Sequence, residues 1–173
     1  MSLAWQPRGM TLLELVMILG VATIVSLLTL PTAIPWLQRE QLRAAIRTVQ
    51  TGLELDRLEA LKRHRPCRFV VDTGSNVVEV WDGMGTNGTA DDRLLHEFAL
   101  PSAVAFAHPE GTPPVTFDDL GGNRYQVLFT ADGTVASGTG SLVLRGGGLY
   151  QRLTLTVAGS ASLSTWSGSS WHI

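Results

Sequence analysis

The stretch that decides the fold is LLELVMILGVATIVSLLTL, residues 12–30, in which Glu14 carries the single charge. At a rise of about 1.5 Å per residue, a helix of this length covers roughly the hydrocarbon thickness of a bilayer. A secretory signal peptide would have a shorter apolar core and small residues at its exit, whereas Pro31 follows this stretch. The pattern therefore predicts a transmembrane helix over residues 10–30 that is retained.

The rest of the 173-residue chain divides by charge. Residues 36–68 hold eight basic and four acidic side chains, and residues 69–173 hold four basic and ten acidic ones. With 45% hydrophobic residues and a net charge of −2, the composition indicates one globular domain and excludes collagen-like, disordered and nucleic-acid-coating proteins. The single cysteine, Cys67, cannot form an intramolecular disulfide and is typical of a small buried side chain.

The residues before the apolar stretch define how the helix begins. Thr11 followed by Glu14 fits a capping box, in which a hydroxyl and a carboxylate satisfy the first backbone amides. An arginine and Gly9 stand directly before Met10, and this combination resembles the class III signal of type IV pilins and type II secretion pseudopilins. The resemblance implies a leader of residues 1–9, removed after Gly9 by a prepilin peptidase that also methylates the new amine of Met10.

The resemblance also assigns roles to two further residues. Glu14 becomes the fifth mature residue, where this family has a glutamate that pairs with the terminal amine of a neighbouring subunit. Pro31 becomes the twenty-second, where the family has a helix-kinking proline. The family orientation implies a single pass through the bacterial inner membrane, with a cytoplasmic N-terminus and a periplasmic β domain. The flanking arginines, taken alone, favour the opposite orientation.

Residues 31–64 are predicted to continue the helix in amphipathic form, with Pro31 and Pro35 kinking or locally melting it. The predicted apolar stripe consists of Leu42, Ile46, Val49, Leu53, Leu55, Leu58 and Leu61. Basic residues followed by Pro66 predict that the helix ends near His64. The basic group Lys62, Arg63, Arg65 and Arg68 is interpreted as a solvated helix terminus, and its alternative is a DNA-binding surface.

Residues 65–173 are predicted to form an antiparallel β-sheet packed on this helix, which makes the fold class α+β. The predicted strands are 69–71, 77–81, 94–98, 104–108, 125–130, 134–135, 142–144, 149–157 and 163–166. The order resembles the GspH/FimT-like branch, which has a Phe-x-x-Asp-Gly hairpin, here residues 129–133, and a late Leu-x-Leu-x-Val strand, here 153–157. DNA-binding relatives have Gly-Arg-x-Arg in the final turn, whereas residues 159–162 contain no arginine, so DNA binding is not expected.

The loop of residues 82–92 has the oxygen atoms and glycines of a calcium loop, although its spacing does not fit an EF-hand. The candidate ligands are Asp82, Asn87, Asp91 and Asp92, and the interpretation that the pattern favours is a polar excursion after a strand. His96-Glu97 lacks the second histidine of a zinc protease, and no serine-hydrolase or nucleotide-binding motif occurs. The sequence thus predicts no enzyme, no required cofactor and no small-molecule substrate.

Together with the resemblance, these features predict a minor pseudopilin of a type II secretion system, an interaction subunit of the periplasmic pseudopilus involved in protein export. The expected partners are other pseudopilins, the prepilin peptidase and the inner membrane. The acidic β domain and the missing arginines after Gly159 favour this function. The alternative is a FimT-like minor pilin of a type IV pilus, with a role in pilus assembly, adhesion, twitching or DNA uptake.

Overall fold

The computed structural model describes residues 11–83 and 93–172, without the side chains of residues 27–33. It divides into two units, the first ending at Trp36 and the second beginning at Leu37. The chain is helical over α1 (Leu12–Arg63). The strands that follow are β1 (Cys67–Asp72), β2 (Val77–Asp82), β3 (Arg93–Ala99), β4 (Ala105–Phe106), β5 (Asp118–Gly121), β6 (Arg124–Phe129), β7 (Val135–Ser137), β8 (Gly140–Gly146), β9 (Leu149–Leu155), β10 (Ala161–Trp166) and β11 (Trp171–His172).

Helix α1 ends one residue earlier than its predicted end near His64. His64 adopts a left-handed conformation with φ of 52°, and its N–H donates to the Leu61 carbonyl. The N–H of Arg65 donates to the Ala60 carbonyl, which completes a Schellman cap. The helical assignment continues through Pro31 and Pro35, so the backbone shows no melted turn there, and a kink at Pro31 stays a prediction.

The buried stripe of α1 in the second unit begins as predicted and then departs from the prediction. Its members alternate at four and three residues: Leu42, Ile46, Val49, Leu53, Asp56 and Ala60. Leu58 and Leu61, which were predicted to continue the stripe, are 60% and 38% exposed. Alternating steps of four and three stay on one face at 3.6 residues per turn, whereas repeated steps of three drift around the helix. The observed stripe therefore continues through Asp56 and buries its carboxyl group.

The strands form two antiparallel sheets, whereas the sequence predicted one. The first sheet has the order β3-β2-β1-β6-β5, with β7 also paired to β6, and the second has the order β11-β10-β9-β8-β4. The hairpins β1–β2, β6–β7 and β8–β9 are those predicted. Strands β5 and β11 were not predicted, because Asp118-Asp119-Leu120-Gly121 contains few residues with strand preference and Trp171–His172 is only two residues long.

Both sheets bury apolar side chains in one core with the helix. Phe69, Val80 and Phe129 come from the first sheet, and Leu142 and Leu153 from the second, all fully buried. A Cβ atom at Gly52 would lie 2.9 Å from Cε2 of Phe69, so the absence of a side chain lets this ring contact the helix. Cys67 is buried and free, as predicted, and burial raises the pKa of its thiol to about 12.

Candidate assembly and binding sites

The first turn of α1 carries the predicted N-cap. Oγ1 of Thr11 accepts a hydrogen bond of 3.2 Å from the backbone N–H of Glu14, and the Thr11 carbonyl accepts one from Leu15. Such a cap fixes where the helix begins and typically contributes about 1 kcal/mol. The Glu14 side chain is exposed in the first turn, where its charge complements the helix dipole.

The helix segment after Glu14 exposes apolar side chains on every side. Leu15, Val16, Met17, Ile18 and Leu19 are 48% to 68% exposed, and five consecutive residues cover the whole circumference of a helix. A soluble helix has one apolar stripe, so this segment needs an apolar surrounding that the monomer does not provide.

The polar side chains of this segment have partners within the helix. The hydroxyl of Thr23 donates to the carbonyl of Leu19 at 2.7 Å, and that of Ser26 donates to the carbonyl of Ala22 at 2.8 Å. These bonds satisfy the hydroxyl donors without water. Another face of the segment forms an apolar groove of about 420 Å³, lined by Met17, Ile18, Val21, Ala22 and Val25.

Among the residues available in the structure, no helical stretch meets the length and apolarity needed to cross a bilayer.

The predicted cleavage site, Gly9 and Met10, lies outside the described residues, as does the side chain of Pro31. The three loop residues Asn87, Asp91 and Asp92 also lie outside them. Their predicted roles therefore stay predictions.

Two members of the basic group at the end of α1, Lys62 and Arg63, form ion pairs. Glu59 accepts from Arg63 Nε at 2.6 Å and lies 3.5 Å from Lys62 Nζ, and these bonds lower the pKa of Glu59. Arg63 Nη1 also donates to Oδ2 of Asp82 at 2.9 Å. Arg68 lies on β1, half-buried, and burial lowers the pKa of its guanidinium. Arg63 thus ties the helix end to β2, while Arg68 lies on the neighbouring strand β1.

Asp82, the first candidate calcium ligand, is 4% exposed and is the partner of Arg63. Within residues 11–83 and 93–172, no three His, Cys, Asp or Glu side chains are grouped closely enough to hold a metal ion.

Asp56 is a buried acid that was not among the residues predicted from the sequence. It is 0% exposed between Leu53 and Ala60, and neither carboxyl oxygen has a hydrogen-bond partner in the part of the chain that the structure describes. Burial raises the pKa of this carboxyl well above its usual value, and the charge of Arg68 opposes that shift. Continuing the four-three spacing beyond Leu53 would have found it.

The Phe-x-x-Asp-Gly hairpin is held by one carboxylate. Oδ1 of Asp132 accepts from the backbone N–H of Thr134 at 3.1 Å and from the hydroxyls of Thr130 and Thr134, and these bonds lower its pKa to about 2. A Cβ at Gly133 would lie 3.1 Å from Leu61 Cγ. The motif is therefore a structural turn that contacts the helix end.

The outer face of the first sheet holds a second network. Glu79 accepts from Trp81 Nε1 at 2.8 Å and from Arg124 Nη2 at 2.7 Å. The three residues come from β2 and β6, which β1 separates. The network is structural in character, because the Glu79 carboxylate accepts both of these hydrogen bonds from side chains of the same sheet.

A helix with one buried stripe on antiparallel sheets, preceded by an apolar helix segment, defines a pilin-like α+β protein. The family model described as type II transport protein GspH matches residues 45–161, and the chain belongs to this family.

One solved structure shows the same fold. The type IV minor pilin FimU of Pseudomonas aeruginosa aligns with 79% of this chain and 96% of its own, at 15% identity and a TM-score of 0.52. No curated protein matches the chain.

Proposed function

We propose that the chain is a minor pseudopilin of a type II secretion system, a structural subunit that acts by contact with other pseudopilins rather than by catalysis. The observation that carries the proposal is the helix segment from Leu15 to Val25, which follows the first turn capped by Thr11 and exposes apolar side chains on all sides. Lipid in the inner membrane, and neighbouring helices after assembly, would cover this surface. Membership of the GspH family supports the assignment to secretion.

In this proposal Glu14 sets the register of assembly. After removal of residues 1–9, its carboxylate would pair with the terminal amine of a neighbouring subunit, since both charges need a partner away from water. Glu14→Ala is expected to insert and to be cleaved normally, yet to be lost from complexes with other pseudopilins on co-purification. Glu40→Ala is the matched control, because Glu40 is another exposed glutamate of the same helix. Equal recovery of both variants would contradict the proposed pairing, and the only role left for Glu14 would be in the capped first turn of the helix.

Processing provides an independent test. Mass analysis of the protein from membranes should find a mature chain that begins at Met10 with a methylated amine. A mature start after Ala33 would indicate ordinary secretion and would contradict the proposed anchor.

A FimT-like minor pilin of a type IV pilus is the second candidate, and the shared fold with FimU favours it. A deletion strain assayed for export of extracellular enzymes, for twitching and for DNA uptake separates the two. Loss of export with normal twitching supports secretion, whereas loss of twitching or DNA uptake with normal export supports the pilus.

The proposed function uses no cofactor. Because Asp82 is already paired with Arg63, we propose that the 82–92 loop is a polar excursion. Heat released when millimolar calcium is titrated into the full chain would contradict this and assign Asp82, Asn87, Asp91 and Asp92 as ligands.

A further inference from the structure

The outer face of the second sheet carries arginines and aromatic rings. Leu142, Leu144 and Leu153 belong to the core, and side chains alternate along a strand, so their chain neighbours on β8 and β9 lie on the opposite face. The strand register places the side chains of that face beside one another. We call this surface the arginine-aromatic face, which consists of Arg145, Tyr150, Arg152, Ser164, Trp166 and Trp171.

Stacking holds Arg152 in place on this face. Its Cζ lies 4.4 Å from the centre of the Trp171 ring, and its Nε donates to Oγ of Ser164 at 3.3 Å. The centre of the Trp171 ring lies 5.2 Å from that of Trp166 and 5.8 Å from that of His108. The guanidinium is therefore already ordered before any ligand binds, which reduces the entropy lost on binding.

The two arginines of the arginine-aromatic face have a defined spacing. Arg145 pairs with Tyr150 in the register, and Arg152 follows two residues later along β9. Diagonal neighbours of this kind are about 7–8 Å apart. Each arginine leans onto the next strand, since Arg145 Cζ lies 5.8 Å from the centre of the Tyr150 ring and Arg152 bonds to Ser164. Alternate side chains of an extended peptide are about 6.6–6.8 Å apart, so two acidic residues separated by one residue match this spacing.

The charge of both arginines is unpaired. Neither forms an ion pair among the described residues, and the terminal nitrogens of Arg152 make no hydrogen bond there and remain open to solvent. No acidic residue follows Asp132 in the sequence. Every acidic residue within a described strand belongs to the first sheet. The arginine-aromatic face is therefore a cationic surface on an acidic β domain, and it suits carboxylates.

We propose that the arginine-aromatic face binds an acidic segment of another protein in extended conformation. Two carboxylates of the segment pair with Arg145 and Arg152, and an aromatic side chain packs against the half-buried Trp166 ring. The inference rests on the proposed function, in which the chain acts by contact with other proteins, and it names the chemistry of one contact. A nucleic acid fits less well, because two arginines neutralise few phosphates and the acids of the first sheet repel a polyanion.

The test uses the full chain in an uncharged detergent and a synthetic peptide with an uncharged fluorophore. In this peptide two glutamates alternate with threonines and precede a tyrosine, and fluorescence anisotropy gives its Kd. Arg145→Gln and Arg152→Gln should each raise the Kd about tenfold or more, because a charge-assisted hydrogen bond is lost. Arg93→Gln is the matched control and should bind as the wild type, because it removes an exposed arginine from β3 of the first sheet. A peptide with glutamines in place of the glutamates should bind the wild type about tenfold more weakly or less.

Three results would overturn the proposal: no binding by the wild type, equal loss in Arg145→Gln and Arg93→Gln, or equal binding of the glutamine peptide. Tighter binding of single-stranded oligothymidylate than of the acidic peptide would also overturn it and make this a nucleic-acid site. Arg145 is exposed, so Arg145→Gln should fold normally and keeps the test valid if Arg152→Gln loosens β11. The measurement uses one purified chain, so its failure is separate from the tests of the proposed function by Glu14→Ala and the deletion strain.

Discussion

The two halves of α1 share one secondary structure but bury their apolar side chains differently. Leu19 in the first half is 59% exposed, and the apolar residues before it along the helix are exposed as well. Leu53 in the second half is 2% exposed and belongs to a stripe that the sheets cover. Helix formation therefore does not depend on which surface covers the helix. In the function proposed above, lipid or other subunits cover the apolar surface of the first half, whereas the sheets of the chain itself cover the stripe of the second half.

The largest expected effect comes from a pair of leucines in the second half. Leu53→Ala should lower the free energy of unfolding by about 2–5 kcal/mol, because it leaves a cavity in the core. Leu58→Ala, at a position 60% exposed, should change it by about 0.5 kcal/mol or less. Urea denaturation of the chain in detergent, followed by tryptophan fluorescence, measures both. Equal losses would mean that the predicted stripe, and not the observed one, faces the core.

The pH dependence of stability tests whether the buried stripe can hold the Asp56 carboxyl in its charged form. Its pKa is raised in the fold, so the folded state holds the proton that the unfolded chain releases. The stability it contributes is fully present below the unfolded-state pKa and is lost as pH rises to the folded-state pKa, with a slope of at most about 1.4 kcal/mol per pH unit. Asp56→Asn should remove this slope, and Glu54→Gln, at an exposed carboxyl two residues away, should keep it. A slope retained in Asp56→Asn would contradict the burial of that carboxyl.

Replacing one glycine in each half by alanine tests how each half accepts one added methyl group. Nothing lies within 4 Å of a Cβ at Gly20, so Gly20→Ala should stabilise its helix by up to about 1 kcal/mol. Gly52→Ala gains the same helix preference but presses on Phe69 at 2.9 Å, and should lower the free energy of unfolding by about 1 kcal/mol. Denaturation and helix content by circular dichroism measure the pair. A stabilised Gly52→Ala would show that Phe69 moves freely.

The smallest effect on stability is expected in the first half. Leu19→Ala should change the free energy of unfolding of the second unit by less than about 0.5 kcal/mol, because Leu19 lies outside that core. The same variant should reduce recovery with neighbouring pseudopilins, since the side chain lies on the unpartnered surface. A destabilised β core in this variant would break the contrast between the halves.

Local patterns explain what could be predicted from the chain. The cap at Thr11, the stripe from Leu42 to Leu53 and the β8–β9 hairpin depend on residues close in sequence, and the structure contains all three. The prediction failed at Leu58 and Leu61, because an apolar residue was preferred there over Asp56 and burial of a carboxyl is costly. The second sheet was not foreseen, because pairings such as β4 with β8 join segments that hairpin patterns do not connect.

The sequence by itself determined an apolar helix that begins at Thr11, an amphipathic continuation and a β domain rich in hairpins, because hydrophobic periodicity and turn chemistry act over a few residues. Only the tertiary structure decided that two sheets share the core, that Asp56 is enclosed and that Arg63 pairs with Asp82. It also placed Arg145 beside Gln38, more than a hundred residues apart in the chain. Such contacts follow from how whole elements pack, and no local pattern in the sequence specifies them.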